Sequence, residues 1–139
     1  MPDLCRFHLA FPVADLAAAR AFYGGLLGCR EGRSSPEWVD FDFYGHQIVA
    51  HLSDEARAAA TNKVDGDDVP VRHFGVILTI PQFHALAARL KAANSRFIVE
   101  PHVRFQGEPG EQWTLFITDP SGNALEFKAF ADDAHVFRT

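Results

Sequence analysis

The sequence predicts an α+β fold made of two tandem βαβββ modules, and three observations predict it. An apolar run with one histidine, RFHLAFPVAD at residues 6–15, has a counterpart in VRHFGVILTI at 71–80, with 65 residues between His8 and His73. Each run is followed by one helical pattern and then by three short strand-like stretches. Turn-forming residues punctuate both halves at corresponding places, as in a duplicated supersecondary unit.

The elements follow in order. The first strand covers about Cys5–Val13. Asp15 caps a helix in which Leu16, Ala19, Phe22, Tyr23, Leu26 and Leu27 recur at helical spacing, and Gly28 stops it. Strand-like runs follow at about 29–33, 37–44 and 47–53, with Gly45-His46 forming a tight hairpin between the last two. Residues 53–70 carry five acids, one Gly and one Pro, and read as a solvated connector with one helical turn at 54–60. In the second half a strand at 71–80 leads to Pro81, which opens a helix with Phe83, Leu86, Ala87 and Leu90 on one face. Strands at 96–105, 112–118 and 123–130 complete it, separated by the loop QGEPGE and the turn DPSG. The expected organisation is one domain over 1–139: module one at 4–53, connector at 54–70, module two at 71–131 and a tail at 132–139.

Composition narrows the function classes. With 139 residues, 47% of them hydrophobic, the chain can bury a sizeable core. A net charge of −5 without a basic block argues against nucleic acid and anionic membrane as partners. Cys5 and Cys29 form no CxxC pair, so a thiolate zinc site is not expected and a reduced, cytoplasmic setting is. No apolar run approaches the roughly 20 residues of a membrane span. The expected partner is a small molecule.

Strand alternation then separates two faces. Phe7, Leu9, Phe11 and Val13 share one face of the first strand, while His8 and Ala10 share the other. Phe74, Val76, Leu78 and Ile80 oppose His73 and Gly75 in the same way. In the last strand of each module, Gln47, Val49 and His51 face away from the helix, as do Ala124, Glu126 and Lys128. A carboxylate between Leu125 and Phe127 must be paired, protonated or metal-bound. His8, His51, His73 and Glu126 therefore form a candidate ligand set for one divalent ion, Fe(II), Zn, Ni, Mn or Co. Taken singly, each histidine reads more readily as a hydrogen-bonded strand residue than as a ligand. His46, His84 and His135 read as structural. Trp38, Tyr44, His102, Arg104, Phe105, Trp113, Phe116 and Lys128 are candidate pocket residues, and the loop FQGEPGEQW is a candidate lid.

Three stretches carry a family likeness: FHLAFPVADLAAARAFYGGLLGC, RHFGVIL and FITDPSGNALEFK, with its D-P-x-G-x-x-x-E pattern. They resemble the vicinal oxygen chelate superfamily of glyoxalase I, fosfomycin-resistance transferases, bleomycin-binding proteins and type I extradiol dioxygenases. The resemblance implies paired βαβββ modules in an open, U-shaped barrel around one divalent metal, and a homodimer. It implies His8, His73 and Glu126 as ligands, with Glu126 also catalytic; His51 falls where glyoxalase I carries Glu. Bleomycin-binding members lack such ligands. Extradiol enzymes carry a catalytic Tyr ten residues before the ligand Glu, where this chain has Phe116. The expected function is a metal-dependent enzyme acting on a substrate with vicinal oxygens, dioxygenase-like first. A glyoxalase-type lyase or isomerase is second, and a non-catalytic binding or resistance protein is third. Asp40 and Asp42 are candidate substitute bases for the lyase.

Overall fold

The computed structural model describes residues 4–56, 61–64, 67–70 and 72–138. The chain divides into two compact units, Met1–Ala58 with Asp119–Asn123, and Ala59–Thr118 with Ala124–Thr139. Each has the βαβββ order and an open four-stranded mixed sheet.

In the first unit β1 (His8–Val13) leads to α1 (Leu16–Ala19), which continues as a π-helical stretch over Arg20–Leu26. The Asp15 side chain caps α1 by accepting from Ala18 N. β2 (Arg30–Ser35), β3 (Trp38–Phe43) and β4 (His46–Leu52) form an antiparallel meander, and β1 lies parallel to β4 at its edge. The helical segment drives Tyr23 into the core, with its ring centre 5.3 Å from Phe11 and 5.5 Å from Phe41. Burying a phenol demands a partner for its hydroxyl. Tyr23 Oη donates to Asp119 Oδ2 at 2.8 Å. The other acceptor positions of Asp119 are taken by Ser121 N, Asn123 N and Asn123 Nδ2. Asn123 Nδ2 also donates to Pro12 O, and Ala14 N donates to Ser121 Oγ. The DPSG turn is thereby built into the first unit. Burial first, then the Asp119 charge, holds the Tyr23 hydroxyl well above its ordinary pKa.

The second unit opens with an element absent from the sequence reading. Part of the expected connector is a hairpin, β5 (Thr61–Val64) with β6 (Asp67–Pro70). Its Val69 is 1% exposed and packs with Val99 and Phe116, so the segment contributes to a core. The expected helical turn at 54–60 falls partly outside the described residues. β7 is only His73–Phe74, with an isolated bridge from Ile77 to Lys128 beyond it, in place of the expected ten-residue strand. α2 (Ile80–Ala92) starts at a reciprocal cap between Thr79 and Gln82 and buries Phe83, Leu86, Ala87 and Leu90. β8 (Phe97–Arg104), β9 (Gln112–Thr118) and β10 (Ala124–Phe130) complete a sheet in the order β7-β10-β9-β8. Leu125, Phe127 and Ala129 of β10 pair across β9 with Ile117, Leu115 and Trp113, forming the face under α2. Among the described residues no helix is long and apolar enough to cross a membrane.

Candidate functional site

The other face of the second sheet is laid out in rungs, because cross-strand partners share a face. His73 pairs with Ala124, and Ala124 with Thr118. One rung on, Glu126 lies opposite Phe116, which pairs with Val99. The next rung holds Lys128, Thr114 and His102, and a further one Phe130, Gln112 and Arg104. The period-two reading of Glu126 as facing away from the helix therefore matches this register.

His73 and Glu126 are each fixed from behind. His73 Nδ1 lies 2.6 Å from Pro70 O, a carbonyl that only accepts, so Nδ1 carries the proton and Nε2 faces the carboxylate. The ring stands edge-on to Phe116, with centres 4.9 Å apart. Glu126 Oε2 accepts from Thr114 Oγ1 at 2.6 Å, which leaves Oε1 toward His73. His73 Nε2 to Glu126 Oε1 is 3.4 Å. That is long for an N–H···O hydrogen bond, whose range ends near ~3.2 Å. It suits two donors sharing an ion: ligands each ~2.1 Å from a metal, at a tetrahedral angle, stand roughly 3.4 Å apart. Lys128 Nζ is 3.9 Å from the same oxygen, a weaker contact. Gly75 lets the chain after His73 lie against the Glu126 backbone, since a Cβ there would collide with the Glu126 carbonyl.

The first unit presents a comparable imidazole. His8 Nδ1 is 2.7 Å from Gln47 Oε1, and Gln47 Nε2 donates to Asp40 Oδ2 at 3.1 Å. The carboxylate fixes which end of the amide is which, so Gln47 Oε1 accepts, His8 Nδ1 donates and Nε2 is the lone-pair nitrogen. An acceptor behind Nδ1 is the arrangement that commonly supports a metal-binding imidazole. His51 is on the predicted face but on the wrong rung. His8 pairs with Gln47, whereas His51 pairs with Pro12 and Trp38, four residues along β4. At about 3.4 Å per residue the two histidines stand roughly 14 Å apart. The structure does not bring His51 to His8. In the second unit the carboxylate lies two residues beyond the partner of His73; the same step in the first unit reaches Val49, which has no donor. Among the described residues no three His, Cys, Asp or Glu side chains come together.

The candidate pocket residues separate in the same way. Phe116, Lys128, His102 and Arg104 share the Glu126 face. Trp113 does not: it lies on the α2 face, stacked edge-on with His84 at 4.8 Å. Trp38 shares a rung with His51, and Tyr44 sits in the β3–β4 turn with φ 53°. Phe105 opens the loop after β8, which is braced by Gly107 N donating to Glu111 Oε1 at 2.7 Å. Four participants escaped the sequence reading: Gln47 and Thr114 as side chains that orient ligands, Pro70 as a carbonyl, and Gly75 as a close approach. Thr114 was detectable as a polar residue between Trp113 and Leu115, two residues before Phe116.

The chain was compared with known families and structures. The model of the Glyoxalase/Bleomycin resistance protein/Dioxygenase superfamily matches residues 7–127. A glyoxalase/bleomycin resistance protein/dioxygenase from Alicyclobacillus acidocaldarius is 36% identical, with TM-score 0.82 over 99% of this chain and 100% of that one. The fosfomycin resistance protein FosX from Listeria monocytogenes is 18% identical, with TM-score 0.72 over 97% and 98% of the chains. A lactoylglutathione lyase from Agrobacterium tumefaciens is 22% identical, with TM-score 0.67 over 93% and 96%. The last two likenesses concern the fold. No curated protein matches the chain.

Proposed function

Because the chain belongs to the glyoxalase/bleomycin resistance protein/dioxygenase superfamily, we propose that it is a divalent-metal-dependent enzyme acting on a small substrate with adjacent chelating oxygens. The observation that carries this reading is the 3.4 Å separation of His73 Nε2 and Glu126 Oε1, each anchored from behind. His73 and Glu126 would hold the ion. When bound, the ion supplies Lewis acidity toward the substrate oxygens.

The chain's own groups do the rest. Pro70 O keeps His73 in the tautomer that presents a lone pair. Thr114 holds one carboxylate oxygen of Glu126 and so directs the other. Phe116 and Val99 keep water from the flank of the pair. Glu126 Oε1 is the atom placed to accept or return a substrate proton. A dioxygenase-like oxidoreductase is the lead reaction class, since imidazole and carboxylate ligands suit Fe(II) with open positions. A glyoxalase-type lyase or isomerase is the second, favoured by Phe116: the rung of Glu126 offers no hydroxyl, so proton movement falls to Glu126 itself. The assembly that goes with this reading is a homodimer.

Elemental analysis of protein purified without added metal tests the proposal, with His73→Ala and Glu126→Ala as controls. Stoichiometric iron supports the oxygenase, and zinc or nickel the lyase. Folded protein that neither retains nor takes up Fe, Mn, Co, Ni or Zn overturns the metal reading in favour of a non-catalytic binding protein.

A further inference from the structure

The loop between β8 and β9 is tied to the C-terminal tail. As the chain leaves β10, Ala131 N donates to Glu111 O at 2.9 Å. Asp132 then caps a single 3-10 turn, Asp133–His135, by accepting from Ala134 N. The turn brings His135 to the loop, and Gly110 N donates to His135 Nδ1 at 3.1 Å. Inside the loop Glu108 N donates to Phe105 O, Glu111 N to Glu108 O and Gly107 N to Glu111 Oε1. Two features oppose this arrangement. Phe105 holds a left-handed backbone, φ 57°, which a bulky residue adopts at a cost. Gln112 is 7% exposed and bound to the same loop, its Nε2 donating to Gly110 O at 3.2 Å, while its Oε1 has no partner among the described residues. A buried amide oxygen without a donor favours opening, because water would satisfy it. Closure of the loop is therefore a small balance, and the bond to His135 is one of the terms that hold it.

That bond depends on the protonation of one ring. Nδ1 accepts from Gly110 N only as the lone-pair nitrogen of a neutral imidazole. A histidinium carries protons on both nitrogens, and the contact becomes two opposed donors. With Nδ1 accepting, Nε2 carries the proton, and it lies 3.7 Å from Asp132 Oδ2 and 3.1 Å from Arg138 Nη1. Arg138 Nη1 is itself a donor, so it adds no hydrogen bond and opposes charge on the ring, whereas Asp132 draws charge to it. The turn also carries Asp133. The loop carries Glu108 and Glu111, the latter with Oε1 taken by Gly107 N, and the sheet contributes Arg104 opposite Gln112. We infer that His135 is a pH-sensitive latch: neutral, it pins the loop at Gly110; protonated, it pairs with Asp132, releases Gly110 and lets the loop open away from Gln112. Closure is then fullest near pH 8 and is lost toward pH 5, the range in which histidine changes charge. The loop borders the rung of Phe130, Gln112 and Arg104, two rungs along the face from Glu126, so its opening uncovers that end of the face. The latch needs no ion to operate.

Amide hydrogen exchange of the full chain, read by NMR at pH 7.5 and pH 5.5, tests the latch. The Gly110 rate is divided by the intrinsic rate at each pH, and the core amides of β9 serve as the reference. One ordinary hydrogen bond corresponds to about fivefold in such an opening equilibrium, and repulsion from the histidinium adds to it. Protection of Gly110 is therefore expected to fall at least about fivefold from pH 7.5 to pH 5.5 while the reference amides hold. His135→Ala removes the acceptor and should show the low protection at both pH values. His135→Asn supplies an oxygen that accepts without titrating and should likewise lose the pH dependence. Equal protection of Gly110 at the two pH values in the parent protein overturns the latch. A fall that persists in either variant also overturns it, since the carboxylates around the ring would then be its cause. A fall shared equally by the β9 amides is a loosening of the whole unit and counts against the latch in the same way.

Discussion

Substituting Gly75 by Ala should damage both stability and the proposed ion centre, and the structure gives the scale. A Cβ at Gly75 would overlap the Glu126 carbonyl oxygen and stand 2.6 Å from the carbonyl carbon and 3.2 Å from the amide nitrogen. Ordinary contact lies at roughly 3.5–4.0 Å, so the chain at Gly75 must retreat from β10 by about 2 Å. The hydrogen bonds just downstream, Leu78 N to Lys128 O at 2.7 Å and Lys128 N to Val76 O at 3.3 Å, lie on the path of that retreat. Overpacking of this kind costs about 1–3 kcal/mol, offset by only about 0.4–1 kcal/mol from the stiffer unfolded chain. With a urea m-value of about 1–3 kcal/mol/M, the midpoint should fall by roughly 1 M. His73 moves with its strand, so affinity for Mn(II) should drop at least about tenfold, as when groups supporting a ligand are lost. Gly25→Ala is the control. It lies in the helical segment with nothing within 4 Å of the added methyl, and should be neutral or stabilising. A Gly75→Ala protein with the parent's urea midpoint and Mn(II) affinity would refute the close approach of the two strands as a requirement of the site.

Three further outcomes are expected. Thr114→Val removes the hydroxyl that holds Glu126 Oε2 and should weaken metal binding about 10–100-fold while the fold survives; calorimetric titration of Mn(II) reads this out. Tyr23→Phe takes one of the donors from buried Asp119 and should cost about 1–3 kcal/mol in urea unfolding. Burial, with the Asp42 charge adding to it, pushes the Cys29 thiol up to about 11 from 9. A raised folded-state pKa means that this contribution to stability is full below pH 9 and is lost as pH rises through about 11. Iodoacetamide at pH 8 should accordingly label exposed Cys5 in the native protein, with Cys29 following only in urea or toward pH 11.

Much of this was legible from alternation and little of it from anything finer. Glu126 sits on a regular ladder from Ala124 to Phe130, so a period of two assigns its face correctly. The same logic puts His51 on the right face but says nothing of its rung, because parity repeats every two residues while register depends on the pairing of β1 with β4. Trp113 was expected in a pocket on bulk and position alone; its neighbours Leu115 and Ile117 belong to the α2 face, and it goes with them. The hairpin at 61–70 was hidden by its acids. Composition there signals solvent, whereas Val69 is buried against Val99 and Phe116. The anchors behind the two histidines could not be read at all: one is a backbone carbonyl, the other a glutamine whose role depends on a carboxylate seven residues away.

β8 has two bulges against β9, between Phe97 and Val99 and between Val99 and His102, and they bear on how such a chain can change over time. His73 sits on β7 at one edge of the sheet, and β8 is the opposite edge, joined to the rest only through β9. A strand that already carries surplus residues at its border can gain or lose one near Glu100 while His102 stays opposite Thr114. Such an insertion or deletion would reshape that edge of the sheet and leave β9 and β10 as they are. That border can therefore drift, or be engineered, by changes in length as well as by substitution, without moving His73 and Glu126 at the other.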